Sequence, residues 1–97
     1  MIGIGIDIGT TTICGVLLDQ TADTVLKSVT KANDSFVIYP EKWKKRQNTA
    51  RILEIVYEII DELMEETYEV SAIGLTGQMH GILYVDVNGE AVSDLYT

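Results

Sequence analysis

One amphipathic stripe, flanked on both sides by strand patterns, limits what this chain can fold into. Ile52, Val56, Ile59 and Leu63 recur at spacings of four, three and four, and Leu53, Ile60 and Met64 widen the band. That is the period of a helix with one buried face. The helix is expected from about Gln47 to Thr67, on the order of 30 Å long, with Asn48 or Thr49 as N-cap and an end near Tyr68. Val70 to Leu75 follows as a short, nearly continuous apolar strand of the kind buried on both faces. A helix of this length between strands serves as a crossover, so that strand should lie parallel to an earlier one.

The earlier strands are plain in the pattern. Ile2 to Ile8 alternates isoleucine with glycine or aspartate, the period of two expected of a strand, with one face kept flat by Gly3 and Gly5. Thr12 to Asp19 reads as its hairpin partner across Gly9-Thr10-Thr11, where glycine is expected to supply the backbone freedom of a tight turn. Thr24 to Thr30 is a third strand, entered through Gln20-Thr21-Ala22-Asp23. From Lys31 to Gln47 no period survives. Pro40, with Asn33, Asp34 and Ser35, marks an irregular connection of about 15 residues there, long enough to suggest a functional loop. Ile82 to Val87 leads to Asn88-Gly89, a strong hairpin signal, and the chain returns through Glu90-Ala91-Val92. The expected fold is α/β with a mixed sheet, in the order β-β-β-α-β and then a hairpin, as a single domain over residues 1–97.

Charge argues against one class of partner. Fifteen acidic and seven basic residues give a formal net charge of −8, which repels phosphate backbones and excludes general nucleic-acid binding from the expectations. Much of the acid lies in Glu54, Glu58, Asp61, Glu62, Glu65, Glu66 and Glu69, read as a solvated helix face. The counter-signal is Lys42-Trp43-Lys44-Lys45-Arg46, whose aromatic ring and cations could stack on a base. A solvated loop with Trp43 packed on the helix is the simpler reading. A composition that is 46% hydrophobic and 23% charged is that of a soluble globular protein. No apolar run approaches the roughly 20 residues of a membrane span. Met1 leads straight into a strand pattern, so a cytoplasmic location without a membrane partner is expected. The single cysteine, Cys14, sits where the strand pattern wants a small core side chain.

Two polar turns carry the chemistry. Asp7-Ile8-Gly9-Thr10-Thr11-Thr12 sets a carboxylate at a strand end, then a glycine and three hydroxyls. Backbone N–H groups and threonine hydroxyls can donate to the phosphate oxygens of a nucleotide, and Asp7 can hold Mg²⁺ directly or through water. A threonine-rich β-turn whose aspartate bonds nearby backbone fits the same spacing. The second turn, Thr76-Gly77-Gln78-Met79-His80-Gly81, lies between apolar runs. Gln78 and His80 can donate and accept, and Met79 offers a flexible apolar wall, which together suit a polyhydroxylated ligand. His80 could equally be a structural or exposed turn histidine, and with no second histidine it makes a poor metal site.

Taken together the turns resemble one family. Ile4-Gly5-Ile6-Asp7-Ile8-Gly9-Thr10-Thr11-Thr12 resembles the first phosphate motif of the actin, heat-shock chaperone and sugar kinase superfamily. Ala72-Ile73-Gly74-Leu75-Thr76-Gly77-Gln78-Met79-His80-Gly81 is similar to the sugar-site strand and loop of the FGGY carbohydrate kinases, above all the xylulokinase and sedoheptulokinase-like members. The resemblance implies a ribonuclease H-like lobe of the actin-like ATPase superfamily, with ATP and Mg²⁺ as cofactors and a sugar as substrate. It implies Asp7 at the metal and Gly9, Thr10, Thr11 and Thr12 at the phosphates. Gln78, Met79 and His80 would lie along the sugar.

The chain departs from the family pattern in two ways. Cys14 stands where many sugar kinases place Lys or Arg. Members also run to several hundred residues, so the resemblance implies that the catalytic base, an aspartate, and the adenosine-binding lobe lie beyond residue 97. No catalytic residue is expected within these 97, and the isolated chain is expected to be inactive and prone to homo-oligomerise. The rival expectation is a non-catalytic, oligomeric binding or assembly module that keeps one half of the cleft. The kinase reading requires the two turns to open onto a shared groove.

Overall fold

The computed structural model describes residues 1–37, 46–65, 69–78 and 81–96. Strand β1 runs over Ile2–Ile8, β2 over Thr12–Asp19 and β3 over Thr24–Ala32, the meander that the alternating pattern predicts. The pair Arg46–Gln47 forms a short β4, α1 spans Thr49–Leu63, β5 is Val70–Gly77 and β6 is Leu95–Tyr96. The main sheet has the order β3-β2-β1-β5. Antiparallel pairing joins β1 to β2 and β2 to β3, whereas β5 runs parallel to β1 with Ile4 opposite Ile73, Ile6 opposite Leu75 and Ile8 opposite Gly77. The crossover helix thus makes a parallel pair, as its length requires.

The core lies between the sheet and α1. Ile4, Ile6, Ile13 and Leu17 from the strands meet Ile52, Ile55, Val56, Ile59 and Leu63 from the helix. At about 100° per residue, Ile55 extends the stripe on the flank beside Ile59 and is buried, while Leu53 and Met64 fall beyond the opposite flank and are exposed. The helix packs over β2 and β3 and over part of β1, closest where β2 has no side chain. A Cβ at Gly15 would overlap Ile59 and stand 3.0 Å from Leu63 and 3.1 Å from Ile6.

Three expectations are corrected. The helix ends at Leu63 rather than near Tyr68, because its terminal carbonyls find partners early. The Lys27 ammonium on β3 donates to the Glu62 carbonyl at 2.6 Å, and the Glu65 N–H turns back to the same carbonyl at 3.4 Å. Residues 66–68, where the expected end fell, lie outside the described residues. The strand expected to be buried on both faces, β5, is exposed along most of its length, with Ile73 at 54% and Leu75 at 66%. It is the last strand of the sheet, and α1 leans to the other side. Cys14 does not join the core; it is half-buried on the sheet face opposite the helix, where Thr30 donates to its sulfur.

The acidic helix face is only partly solvated. Lys31 pairs with Glu62, Lys27 with Glu65, and Arg51 with Asp34, Glu54 and Glu58. Glu69 lies after the helix, at the entry to β5, and Glu66 is outside the described residues. The hairpin at Asn88-Gly89 forms with Gly89 at φ +79°, a conformation that favours glycine. Its arms meet through the bridge of Val85 with Ala91 and the bond from Val92 N–H to the Tyr84 carbonyl, not through a regular ladder. No described helix is long and apolar enough to cross a membrane.

Candidate functional site

The parallel pairing of β1 with β5 brings the two polar turns to the same edge of the sheet. Both strands run in one direction, so Asp7-Ile8-Gly9-Thr10 and Thr76-Gly77-Gln78 leave the sheet side by side, with Asp7 opposite Thr76. The Thr76 hydroxyl donates to Asp7 Oδ1 at 2.7 Å. Asp7 borders a shallow groove of about 410 Å³ with Gly5, Cys14, Val16, Gly74 and Thr76 on its walls. Successive side chains of a strand alternate between faces. Asp7, Cys14 and Thr76 therefore share the face opposite α1, and the small side chains around them keep it open.

The first turn is tied back through its carbonyls. The Gly9 N–H donates to the Thr12 carbonyl at 3.0 Å, and a Cβ at Gly9 would stand 2.7 Å from that same oxygen. Gly9 has no positive φ. Glycine is needed there for the close approach of backbone, not for the left-handed conformation that a tight hairpin turn suggested. The Asn33 side chain donates to the Gly9 carbonyl at 2.9 Å, the Asn33 N–H to the Thr11 carbonyl at 2.8 Å, and Gln47 Nε2 to the Thr10 carbonyl at 3.1 Å. All three acceptors of the turn are thus occupied by groups behind it. The side chains of Thr10, Thr11 and Thr12 are exposed. A turn whose carbonyls are held back and whose hydroxyls face out can offer donors to an anion.

Asn33 and Gln47 are the site residues that sequence reasoning missed. Both are buried, at 6% and 0% exposure. Ser35 holds the Asn33 side chain, donating to Asn33 Oδ1 through both its hydroxyl and its N–H, and the Ser35 carbonyl takes the N–H of the helix cap Asn48. Gln47 is fixed by β4, which pairs with β6 and bridges to Phe36. The available signal was the placement of Asn33, Ser35 and Gln47 at the two ends of the irregular connection, next to a helix cap. Their partners, however, are backbone carbonyls, which leave no side-chain signature.

Gln47 also reaches the second turn. Gln78 Nε2 donates to Gln47 Oε1 at 2.7 Å. A continuous chain of hydrogen bonds therefore runs from the Thr10 carbonyl through both amides to the second turn. Met79 and His80, the other two residues expected along a sugar, lie outside the described residues, as do Lys42, Trp43, Lys44 and Lys45 of the basic cluster. The Arg46 guanidinium lies 4.4 Å over the ring of Tyr96, a cation–π contact. Among the described residues no three His, Cys, Asp or Glu side chains gather. A metal at Asp7 would be held by one carboxylate with phosphate oxygens and water, a donor set that suits Mg²⁺.

A sheet of this order with a crossover helix on one face has the topology of an actin-like ATPase lobe. The chain belongs to the FGGY family of carbohydrate kinases: the model of that family's N-terminal domain matches residues 2–96. It is similar to the sedoheptulokinase of Mus musculus, with 34% identity over 91 residues, covering 84% of this chain and 19% of that protein. Among solved structures it is similar to the ligand-bound xylulose kinase of Lactobacillus acidophilus, at 28% identity and a TM-score of 0.82, covering 99% of this chain and 19% of that one. The gluconate kinase of the same organism superposes with a TM-score of 0.79 at 26% identity, covering all of this chain and 20% of the other. The chain thus spans about a fifth of the length of these relatives.

Proposed function

We propose that the protein carrying this chain transfers the γ-phosphoryl group of ATP to a hydroxyl of a ketose such as xylulose or sedoheptulose, in the cytoplasm. The observation that carries this reading is the bond from Thr76 to Asp7 at the parallel strand tips, which gives the two turns the shared edge that transfer requires. Asp7 would hold Mg²⁺, and Gly9, Thr10, Thr11 and Thr12 would receive the phosphates. Gln78, Met79 and His80 would receive the sugar. The sugar oxygen attacks the γ-phosphorus, its proton passes to a general base outside residues 1–97, and ADP leaves. Positioning and charge neutralisation dominate such transfers, and this chain would supply part of each. The relatives named above are all kinases, which favours a transferase over a non-catalytic module.

The test is sugar-dependent ADP release by the full-length protein with ATP and Mg²⁺ across a panel of ketoses and polyols. A ketose should stimulate release, and Asp7→Asn should lower kcat on the order of 100-fold while calorimetric sugar binding persists. Absence of sugar-stimulated ADP release across the panel would overturn the reading.

A further inference from the structure

Three polar side chains are buried among the described residues, Asn33, Ser35 and Gln47, and all three stand behind the first turn. Burying an amide or a hydroxyl is costly unless it is hydrogen-bonded, and these are bonded in one sense only. The Ser35 N–H can only donate, so the Asn33 atom that faces it is Oδ1, and Nδ2 is left for the Gly9 carbonyl. A carbonyl oxygen can only accept, so Gln47 must present Nε2 to Thr10, while its Oε1 takes the bond from Gln78 Nε2. Each of the two amides is held at both ends, and neither can turn over.

The effect on the turn follows from the planar trans peptide, in which the C=O of one residue and the N–H of the next point in opposite directions. Drawing the Gly9 carbonyl back to Asn33 aims the Thr10 N–H the other way, and drawing the Thr10 carbonyl back to Gln47 does the same for the Thr11 N–H. Among the described residues neither N–H has a hydrogen-bond acceptor, and Thr10 and Thr11 are both exposed. Successive N–H groups presented in this way suit the oxygens of a phosphoryl group.

We infer that Asn33 and Gln47 are positioning residues for the terminal phosphoryl groups of the nucleotide. They touch no ligand; they act by turning the Thr10 and Thr11 N–H groups toward the β- and γ-phosphate oxygens. The inference rests on the proposed kinase reading and adds to it the two side chains that set the donors. Without its tether a peptide unit of the turn is free to rotate, and its N–H is no longer aimed in advance at the anion.

The test uses the full-length protein with Mg²⁺ and compares AMP-PNP, a non-hydrolysable ATP analogue that retains both terminal phosphoryl groups, with AMP, which carries neither. Gln47→Met and Asn33→Leu remove the amide donors at nearly the same volume and bring in no charge that would itself repel the nucleotide. By calorimetry each should weaken AMP-PNP binding about tenfold or more, the scale of a hydrogen bond to a charged group, and leave AMP binding unchanged. A merely structural role would lower stability, or weaken both nucleotides alike. Equal losses for the two nucleotides, or a folded variant that binds AMP-PNP as the unaltered protein does, would overturn the inference.

A second measurement needs no substitution. In protein labelled with ¹⁵N-threonine, AMP-PNP should move the Thr10 and Thr11 amide proton resonances downfield as hydrogen bonds to phosphate form, and AMP should leave them in place. Resonances unmoved by bound AMP-PNP would overturn the inference while leaving the kinase reading intact, and would do so even if neither variant folds. Failure of the unaltered protein to bind AMP-PNP would overturn the kinase reading and the inference with it.

Discussion

Gly15 shows how much of this fold turns on a single missing side chain. The residue sits on β2 under α1, and a Cβ there would overlap Ile59 while pressing on Leu63 and Ile6. Overpacking of a tight core costs typically about 1–3 kcal/mol. Gly15→Ala should therefore lower the midpoint of urea unfolding with an unchanged m-value, and Gly15→Val should lower it further; equal midpoints would show that the helix can shift without penalty. Such a contact was not legible in the sequence, where Gly15 looks like one more residue of a glycine-rich strand. Asp7 and the three threonines were legible because their chemistry is local: a carboxylate, a glycine and hydroxyls in consecutive positions. Gln47 and Asn33 were not, because each works on a backbone carbonyl more than 20 residues distant, and distance in sequence carries no mark.

At the scale of elements, the start of α1 was readable and its end was not. Asn48 caps the helix by accepting from the Arg51 N–H at 3.1 Å, and an asparagine ahead of an apolar period announces that cap. The end depends on Lys27 reaching across from β3, which periodicity cannot show. Arg51, in the first turn of the helix, also binds Asp34 through two nitrogens, at 2.7 and 3.2 Å. The guanidinium's hydrogen bonds hold the Asp34 carboxyl below its ordinary range. A carboxylate with a lowered folded pKa contributes stability above its unfolded pKa and loses it as pH falls through the folded value. The window therefore lies below about pH 4. Asp34→Asn should flatten the dependence of Tm on pH in that window and lose its effect in high salt, since the pair is exposed and screened. Parallel Tm curves for the two proteins would refute the contribution.

At the scale of the whole molecule, the mixed sheet and its order follow from one helix placed between strands, but the exposure of β5 does not. A strand that reads as buried on both faces records the surroundings it evolved in, and these 97 residues span about a fifth of the length of their relatives. The radius of gyration, 15.2 Å, exceeds the about 13 Å of a compact domain of some 100 residues. Ile73, Leu75, Ile82, Tyr84 and Val85 stand exposed on β5 and the segment that follows it. Parallel strands are ordinarily covered on both faces, and an uncovered apolar edge invites pairing with another copy. Expressed alone, residues 1–97 should self-associate, with a mass by light scattering that rises with concentration and with binding of a hydrophobic dye. Leu75→Lys, at a position 66% exposed, should shift the population toward monomer without unfolding α1, because that side chain lies outside the core cluster. A monomer at every concentration, with no dye bound, would show that the sheet tolerates its open edge and would remove the case for assembly through β5.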